Sequence, residues 1–412
     1  MIRKAIIASI AVLTVFIFKC YAQEVTKQRV KPPRENTAEQ MNSPYMIFIS
    51  ADGFRYDYAE KYKATNLLKQ ANSGVKATSM IPVFPSSTGP NHYSLVTGLY
   101  PVHNGIIGNS FYDPVRKKLK DGGNTWLTND PIWISAEKQG MITASLGFIG
   151  SKQNINGVQT SYYYNYEKPR IGMTERVEII KKWLSLPEKV RPHFIAVYNN
   201  ETDHAGHEFG PDSKQTEEAV ADIDSFIAQL QVAIQETGLP VSVVFVSDHG
   251  MTSIEQNHTL KIPSSIDTAK YVVVDHRALL SIHAKKSEDI MPLYSKLKAE
   301  KSPYFTIYLQ KELPKELNFD MKEDKYNRIG DIILMAKWPN LFTKNPKGSH
   351  GFNPYEIKDM HATFYAWGPL FKKNLTIESF PIIDVYDMVM KALNLKPEAN
   401  DGSGTLAKRV LK

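Results

Sequence analysis

Three short apolar segments, each followed closely by an aspartate, constrain the fold of this chain more than any other feature. Segments of this length and composition are typical of buried parallel strands. Because parallel strands end at the same edge of a sheet, we expect the three carboxylates to converge on one site. The segments and their aspartates are YMIFIS at 45–50 with Asp52, FIAVY at 194–198 with Asp203, and VSVVFV at 241–246 with Asp248.

Helical periodicity separates these strand candidates. Apolar residues recur at helical spacing over 174–186 and 216–237, and strands that alternate with helices are typical of an α/β fold. We therefore predict an α/β/α sandwich with a mostly parallel central sheet, formed by a catalytic domain over 44–412. Residues 264–345 are richer in Lys and Glu and contain further strand candidates, which predicts a small inserted α+β lobe.

The first 43 residues differ in composition from the rest of the chain. Arg3 and Lys4 precede an apolar run of 14 residues that ends at Phe18, shorter than the roughly 17 to 25 residues that a membrane-spanning helix needs. This pattern predicts a signal peptide over 1–22, cleaved after Ala22, and no stable membrane anchor afterwards. Residues 23–43 are polar and contain prolines, which predicts a flexible linker.

Cysteine content and charge narrow the class of protein. Cys20 is the only cysteine, so the mature chain is expected to form no disulfide, which fits an exported bacterial protein, periplasmic or secreted. Removal of the leader takes away three basic residues and no acidic one, and lowers the net charge from +7 to +4. A surface of that charge does not favour binding of duplex nucleic acid.

Histidines accompany two of the three aspartates. Asp203 and His207 lie four residues apart in DHAGH, Asp248 and His249 are adjacent in SDHGM, and His350 lies between glycines in GSHGF. Carboxylate oxygens and imidazole nitrogens suit zinc where thiolates are absent. Each residue alone has a common structural explanation, as a turn former, helix cap or surface residue. Together they predict a metal site.

Thr88 is the candidate nucleophile. It lies between Pro85 and Pro90, just before a segment of helical periodicity, so we expect it near a helix N-terminus, where phosphoryl oxygens are favoured. Without the metal ligands, a Thr at this place is better explained as a helix cap. Beside a zinc ion, however, its hydroxyl can lose a proton near neutral pH and act as a nucleophile.

Six motifs in a fixed order resemble the nucleotide pyrophosphatase/phosphodiesterase family, within the alkaline phosphatase superfamily. The set extends from about Tyr45 to the C-terminal region. The motifs are DGFR at 52–55, STGPNHYSLVTGLYPVHNGIIGN at 87–109, PIWISAEKQG at 131–140, ETDHAGHEFGP at 201–211, SDHGM at 247–251 and GSHGF at 348–352.

The resemblance implies an alkaline phosphatase-like fold, two zinc ions per chain and a small phosphodiester substrate, expected to be a nucleotide. It also implies that Thr88 forms a covalent phosphothreonine intermediate and that Asn109 stabilises a phosphoryl oxygen. The implied ligands are Asp203, His207 and His350 for one ion, and Asp52, Asp248, His249 and the Thr88 hydroxyl for the other.

The pattern departs from the family at the substrate pocket. Nucleotide-cleaving members have an aromatic residue after the nucleophile, where it stacks on the base, but Gly89 occupies that position here. Tyr163, Tyr164 and Tyr166 are the expected substitutes, with Trp126 as a further candidate.

Three alternatives remain open from the sequence. A choline-phosphodiester phosphodiesterase would tolerate Gly89, because its headgroup is smaller than a nucleotide. A phosphate monoesterase of the same superfamily would need additional cations, for which Lys152 is the nearest candidate. A non-catalytic metal-binding protein would retain the ligands without turnover.

Overall fold

The computed structural model describes residues 28–30, 34–120, 126–165, 171–320 and 322–412. The predicted signal peptide and Tyr166 lie outside these ranges. Within them, no helix has the length and apolar character that crossing a membrane requires.

Nineteen strands are assigned in the described part of the chain. In chain order they are β1 (Arg29–Val30), β2 (Tyr45–Ala51), β3 (Val75–Ala77), β4 (Met80–Ile81), β5 (Tyr112–Asp113), β6 (Lys118–Leu119), β7 (Thr143–Leu146), β8 (Tyr162–Tyr164), β9 (Phe194–Asn199), β10 (Val241–Val246), β11 (Thr252–Ser253), β12 (Tyr271–Asp275), β13 (Leu279–Ala284), β14 (Phe305–Leu309), β15 (Ile332–Ala336), β16 (Gly348–Ser349), β17 (Phe364–Trp367), β18 (Leu375–Ile377) and β19 (Phe380–Pro381).

The α-helices of the same residues range from one turn to more than six. They are α1 (Tyr58–Lys61), α2 (Thr65–Ser73), α3 (Thr88–Thr97), α4 (Pro101–Asn104), α5 (Ile132–Lys138), α6 (Met173–Leu184), α7 (Glu201–Phe209), α8 (Lys214–Thr237), α9 (Ile290–Glu300), α10 (Asp384–Ala392) and α11 (Thr405–Val410).

A nine-stranded sheet forms the centre of the described structure, in the order β1-β8-β7-β9-β2-β10-β17-β3-β18. The five strands from β8 to β10 are parallel. In β2, β9 and β10 every residue is buried, as expected for parallel strands covered on both faces. The α/β class predicted from the sequence, with a mostly parallel sheet, is confirmed.

Two groups of helices cover the sheet. The long helix α8 packs against α2, α6 and α7, while α10 packs against α3, α5 and α11. Apolar residues of both groups join the sheet in one continuous core. The short helix α3 is covered almost completely, with every residue from Pro90 to Thr97 buried, so its N-terminus is held firmly at one end of the sheet.

A second sheet lies within the segment predicted as an inserted lobe. Its four antiparallel strands have the order β12-β13-β15-β14, and its apolar residues form a separate cluster between Leu260 and Phe342. Arg328 attaches this segment to β5 and to the end of α4. Its buried guanidinium donates to Asp113 Oδ2, at 2.7 Å from Nη2, and to the Gly105 carbonyl.

The predicted flexible linker over 23–43 is wrong for residues 34–43, which pack on the domain. The Asn36 side chain donates to the carbonyls of Glu188 and Arg191 and accepts from Ile142 N. The Arg34 guanidinium donates to Glu137 at 3.0 Å. Polar composition indicated a linker, but these polar groups satisfy buried backbone groups of the domain instead.

Glu137 joins this segment to the sheet. Its side chain is buried and accepts hydrogen bonds from Arg34, from Thr143 N and Oγ1, and from Ser161 N and Oγ. All of these donors face one carboxylate, so an uncharged replacement cannot satisfy them equally.

We expect Glu137→Gln to lower the free energy of unfolding by about 1–3 kcal/mol, because the amide group must face donors such as the Arg34 guanidinium. Urea denaturation followed by fluorescence measures the change. The matched control Glu178→Gln, at an exposed position on α6, should change stability by less than about 0.5 kcal/mol. Equal midpoints for the two variants would contradict the role assigned to Glu137.

Candidate active site

The carboxyl ends of the parallel strands bring together residues that are far apart in the sequence. Asp52 follows β2 directly, Asp248 and His249 follow β10, and Asp203 lies in the first turn of α7 after β9. Gly53 makes the close approach possible. It has φ of 67°, and a Cβ on it would lie 2.9 Å from the Cα of Asp203, so a larger residue would separate the loops.

Asp203, His207 and His350 form one cluster, and their ligand atoms all lie within 4.8 Å of one another. His207 Nε2 is 3.5 Å from Asp203 Oδ1 and 3.1 Å from His350 Nε2. Asp203 and His207 are four residues apart on α7 and therefore share one face of the helix. His350 follows β16, which packs against α7.

Asp52, Asp248 and His249 form an adjoining cluster that is almost completely buried. His249 Nε2 lies 3.5 Å from Asp52 Oδ1 and 3.0 Å from Asp248 Oδ2. Thr88 Oγ1 is 3.3 Å from the same nitrogen. The four residues that the sequence assigned to a second ion are thus neighbours.

One oxygen of each aspartate is buried without a hydrogen-bond donor: Oδ1 of Asp52, Oδ1 of Asp203 and Oδ2 of Asp248. The remaining oxygens of two of them are engaged. Asp52 Oδ2 accepts from the Tyr198 hydroxyl at 2.5 Å, and Asp248 Oδ1 accepts from Gly53 N at 3.1 Å. Buried carboxylate oxygens are normally hydrogen-bonded, paired or bound to a metal.

The three histidines are held in one tautomer. Nδ1 of His207, His249 and His350 lies 2.8, 2.8 and 2.9 Å from the backbone carbonyls of Gly348, Gly250 and Ser86 respectively. Because a carbonyl oxygen only accepts, each Nδ1 carries a proton and donates it. In the neutral ring Nε2 is then unprotonated and faces the carboxylates, which is the arrangement of a histidine metal ligand.

The pKa values of the site residues are shifted, because several carboxylates lie close together in a buried site. Burial, together with two neighbouring aspartates, raises the pKa of Asp52 well above its ordinary value. Burial also acts to raise the pKa of Asp248, but two adjacent histidines outweigh it and hold that pKa well below its ordinary value. Burial and two other histidines lower the pKa of His350 well below its ordinary value, so its ring is neutral.

The donor set fits divalent metal ions. Ligands at about 2.0–2.1 Å from a tetrahedral ion are separated from each other by about 3.3 Å, and the separations within the two clusters are 3.0–3.6 Å. Bare imidazole nitrogens and unsatisfied carboxylate oxygens at this spacing are the ligand types that zinc takes. Asp203, His207 and His350 can therefore hold one ion, and Asp52 forms two further candidate groups, one with Asp203 and His249 and one with His92 and Asp248.

Thr88 is the first residue of α3, as the sequence predicted, and Ser87 before it is extended. Asn109 lies beside Thr88. Gly89 N donates to Asn109 Oδ1 at 2.6 Å, which fixes the amide carbonyl, so Nδ2 is available to donate to a ligand. Lys120 Nζ donates to the Asn109 carbonyl at 3.0 Å. Burial and the nearby charge of Arg328 lower the pKa of Lys120 to about 8.

Sequence reasoning missed two supporting residues. His92 Nδ1 lies 3.0 Å from the Thr88 carbonyl and 3.2 Å from Asp248 Oδ2, and its Nε2 lies 2.8 Å from Ser50 Oγ. Its position four residues after Thr88 on a helix was the available signal. Tyr198, at the end of β9, was missed because the strand register that places it beside Asp52 is not visible in the sequence.

A cavity of about 430 Å³ opens over Thr88 and the cluster of Asp203, His207 and His350. Its lining includes site residues that the sequence predicted. It also includes a turn of the second sheet, which the sequence did not predict to lie at the site. The lining residues are Ser87, Thr88, Asn109, Ser110, Asp203, His207, Asp275, His276, Arg277, Ser349 and His350.

Of the predicted substrate-binding tyrosines, Tyr163 and Tyr164 do not line this cavity. Tyr163 is buried at the sheet edge with the Arg29 guanidinium over its ring, and Tyr164 packs against Trp183. Trp126 is buried against Phe111. The described lining contains no Phe, Tyr or Trp. Aromatic residues close in sequence to the motifs were expected to stack on a base, but the core uses them for packing.

Lys152, the cation considered for a monoesterase, is also absent from the described lining; it lies in a turn where its carbonyl accepts from Arg29.

Comparison with known proteins agrees with this geometry. Residues 46–363 match the family described as type I phosphodiesterase/nucleotide pyrophosphatase. The murine protein named bis(5'-adenosyl)-triphosphatase enpp4 is 31% identical over 382 residues, which cover 90% of this chain and 82% of that protein. Venom phosphodiesterase CdcPDE of Crotalus durissus collilineatus is 33% identical over 390 residues, 90% of this chain and 46% of its own length. The chain spans about half the length of such venom relatives.

Solved structures of proteins from the same family also match this chain. Murine ectonucleotide pyrophosphatase/phosphodiesterase 5 superposes with a TM-score of 0.81 at 27% identity, over 89% of this chain and 100% of that one. An inactive threonine-to-alanine variant of that protein, solved in complex with AMP, superposes equally well. The predicted alkaline phosphatase-like fold is thereby confirmed. The chain belongs to the type I phosphodiesterase/nucleotide pyrophosphatase family, whose named members here are hydrolases of phosphoric ester bonds.

Proposed function

We propose that this protein hydrolyses phosphodiester or pyrophosphate bonds of nucleotides by way of a phosphothreonine intermediate on Thr88. The observation that supports it most is the position of the Thr88 hydroxyl, 3.3 Å from His249 Nε2 and at the N-terminus of α3. A phosphoryl group there would meet both clusters of ligands and the dipole of the helix.

Two zinc ions are the proposed cofactors, one held by Asp203, His207 and His350, the other by Asp52, Asp248, His249 and Thr88. Metal ions bound in these clusters would favour loss of the Thr88 proton and neutralise charge on the phosphoryl oxygens. The unsatisfied oxygens of the three aspartates support this proposal, since each lies among bare imidazole nitrogens.

The chain's own residues define the reaction. Thr88 Oγ1 forms a bond to phosphorus as the bond from phosphorus to the leaving oxygen breaks, and water then cleaves the phosphothreonine and restores the hydroxyl. The Asn109 amide, whose carbonyl is fixed by Gly89 N, donates to a non-bridging oxygen as charge develops. His92 Nδ1 contacts both the Thr88 carbonyl and Asp248 and holds them in position.

A nucleotide substrate is supported by the relatives, which are named for a bis(5'-adenosyl)-triphosphatase activity and for an AMP complex. A choline headgroup is normally bound by aromatic rings around its quaternary ammonium. The described lining of the cavity contains none, and it offers no Phe, Tyr or Trp ring for a base to stack on either, so the preference for a nucleotide rests on the relatives.

We expect Thr88→Ala to lower kcat by about 10³-fold or more, because the attacking atom is lost. Zinc content should remain, since six protein ligands are unchanged. Steady-state rates on nitrophenyl thymidine 5'-monophosphate and metal analysis of the purified protein measure the two effects. Thr88→Ser should retain part of the activity, and Thr174→Ala, at an exposed position, should retain all of it. Full activity of Thr88→Ala would refute the nucleophile.

Substrate class is tested by three nitrophenyl compounds that release the same chromophore. We expect kcat/KM for the thymidine monophosphate ester to exceed that for nitrophenyl phosphate and for nitrophenylphosphocholine by at least about tenfold, because only the first carries a nucleoside. A preference for nitrophenyl phosphate would identify a monoesterase. Absence of turnover on all three with zinc supplied would favour a binding protein.

A further inference from the structure

The turn between β12 and β13 places Arg277 in the catalytic cavity. Asp275, His276 and Arg277 line one wall of the cavity together with Ser110. This turn belongs to the second sheet, and neither the metal clusters nor the proposed nucleophile uses its side chains.

Close packing holds the turn between two catalytic loops. A Cβ on Gly108, next to Asn109, would lie 2.4 Å from His276 Cε1. A Cβ on Gly351, next to His350, would lie 3.3 Å from Ala278 Cβ. Such close approach leaves the turn little room to move. Its residues therefore have a defined position relative to the site.

The backbone of the turn is also fixed. His276 N donates to the Leu279 carbonyl at 2.9 Å, and Arg277 N donates to Asp275 Oδ1 at 2.7 Å. Arg277 has φ of 66°, an uncommon conformation for a residue with a side chain. The other carboxylate oxygen of Asp275 accepts from the Thr343 hydroxyl, so this carboxylate is engaged in stabilising the turn.

The Arg277 guanidinium makes no hydrogen bond and no ion pair with any residue that the structure describes. Other arginines of the domain differ: Arg55, Arg176 and Arg328 each donate to a carboxylate. Arg277 is half-buried, and a cation in that setting without a counter-anion is suited to bind one. The planar guanidinium matches a phosphate group with two parallel hydrogen bonds.

The position of the turn indicates which part of the substrate it contacts. In an in-line displacement the leaving oxygen lies opposite the nucleophile. Thr88 adjoins His249, so the leaving group points toward the cluster of Asp203, His207 and His350. The turn packs on Gly351, directly after His350, and hence lies on the leaving-group side.

We infer that Arg277 binds a second anionic group on the leaving group and selects pyrophosphate-linked substrates over esters whose leaving group has no phosphate. His276 and Ser110, on the same wall, offer uncharged hydrogen-bonding groups beside it; His276 Nε2 is buried without a partner among the described residues. This inference rests on the proposed function and adds the feature of the substrate that the site recognises.

The test compares two substrates with the same nucleoside. Thymidine 5'-triphosphate releases pyrophosphate, whereas nitrophenyl thymidine 5'-monophosphate releases a phenolate. We expect Arg277→Gln to lower the ratio of their kcat/KM values, triphosphate over nitrophenyl ester, by roughly 10- to 100-fold, as loss of a charge-assisted bidentate contact should. Arg277→Lys should lower it less. Lys344→Gln, which removes an exposed cation outside the described cavity lining, should leave the ratio unchanged. Unchanged melting temperature and zinc content verify that the variants are folded.

Two results would overturn the assignment. An unchanged ratio would show that Arg277 does not contact the leaving group. A selective loss of nitrophenyl phosphate hydrolysis in Arg277→Gln would show that it contacts the transferred phosphoryl group instead.

A binding measurement distinguishes failure of this inference from failure of the proposed function. If the zinc-loaded wild type cleaves neither nucleotide, the proposed function fails, but the contact with Arg277 can still be measured with inorganic pyrophosphate by calorimetry. Arg277→Gln should weaken that binding by roughly tenfold or more. Equal affinity in the two proteins would refute the contact.

Discussion

Three carboxylates at one end of a parallel sheet, each with a buried oxygen, are the constraint on which the rest of this site depends. Each has an oxygen without a hydrogen-bond donor, and uncompensated charge of this kind is costly in a protein interior. Nε2 of three imidazoles, each with Nδ1 donating to a backbone carbonyl, lies among these oxygens. Burial acts to lower the pKa of His249, but Asp248 outweighs it and raises that pKa. Metal ions bound among these groups would compensate the remaining charge.

The fold supplies the geometry through the ends of β2, β9 and β10. Their parallel register aligns Ser50 with both Tyr198 and Val246, so the loops that follow these strands begin side by side. Gly53 then allows the first loop to contact α7 closely. The helix α3 adds Thr88 from the neighbouring layer, and His92, one turn later, joins its backbone to Asp248.

The sequence predicts features that arise from local patterns, and it does not predict those that depend on contacts between distant residues. The strands and the ligand residues were predictable, because apolar runs ending in Asp and the spacing of Asp203 and His207 are local patterns. The position of Arg277 was not, since a turn in the second sheet reaches the cavity only through packing on Gly108 and Gly351. The burial of Tyr163 and the packing of residues 34–43 were equally invisible, because both depend on partners distant in sequence.

An anomalous-diffraction map at the zinc edge, from crystals of the zinc-loaded protein, would locate the proposed metal ions. We expect two peaks about 4 Å apart, one among Asp203, His207 and His350 and one among Asp52, Asp248, His249 and Thr88. A single peak, or zinc bound away from these residues, would contradict that expectation.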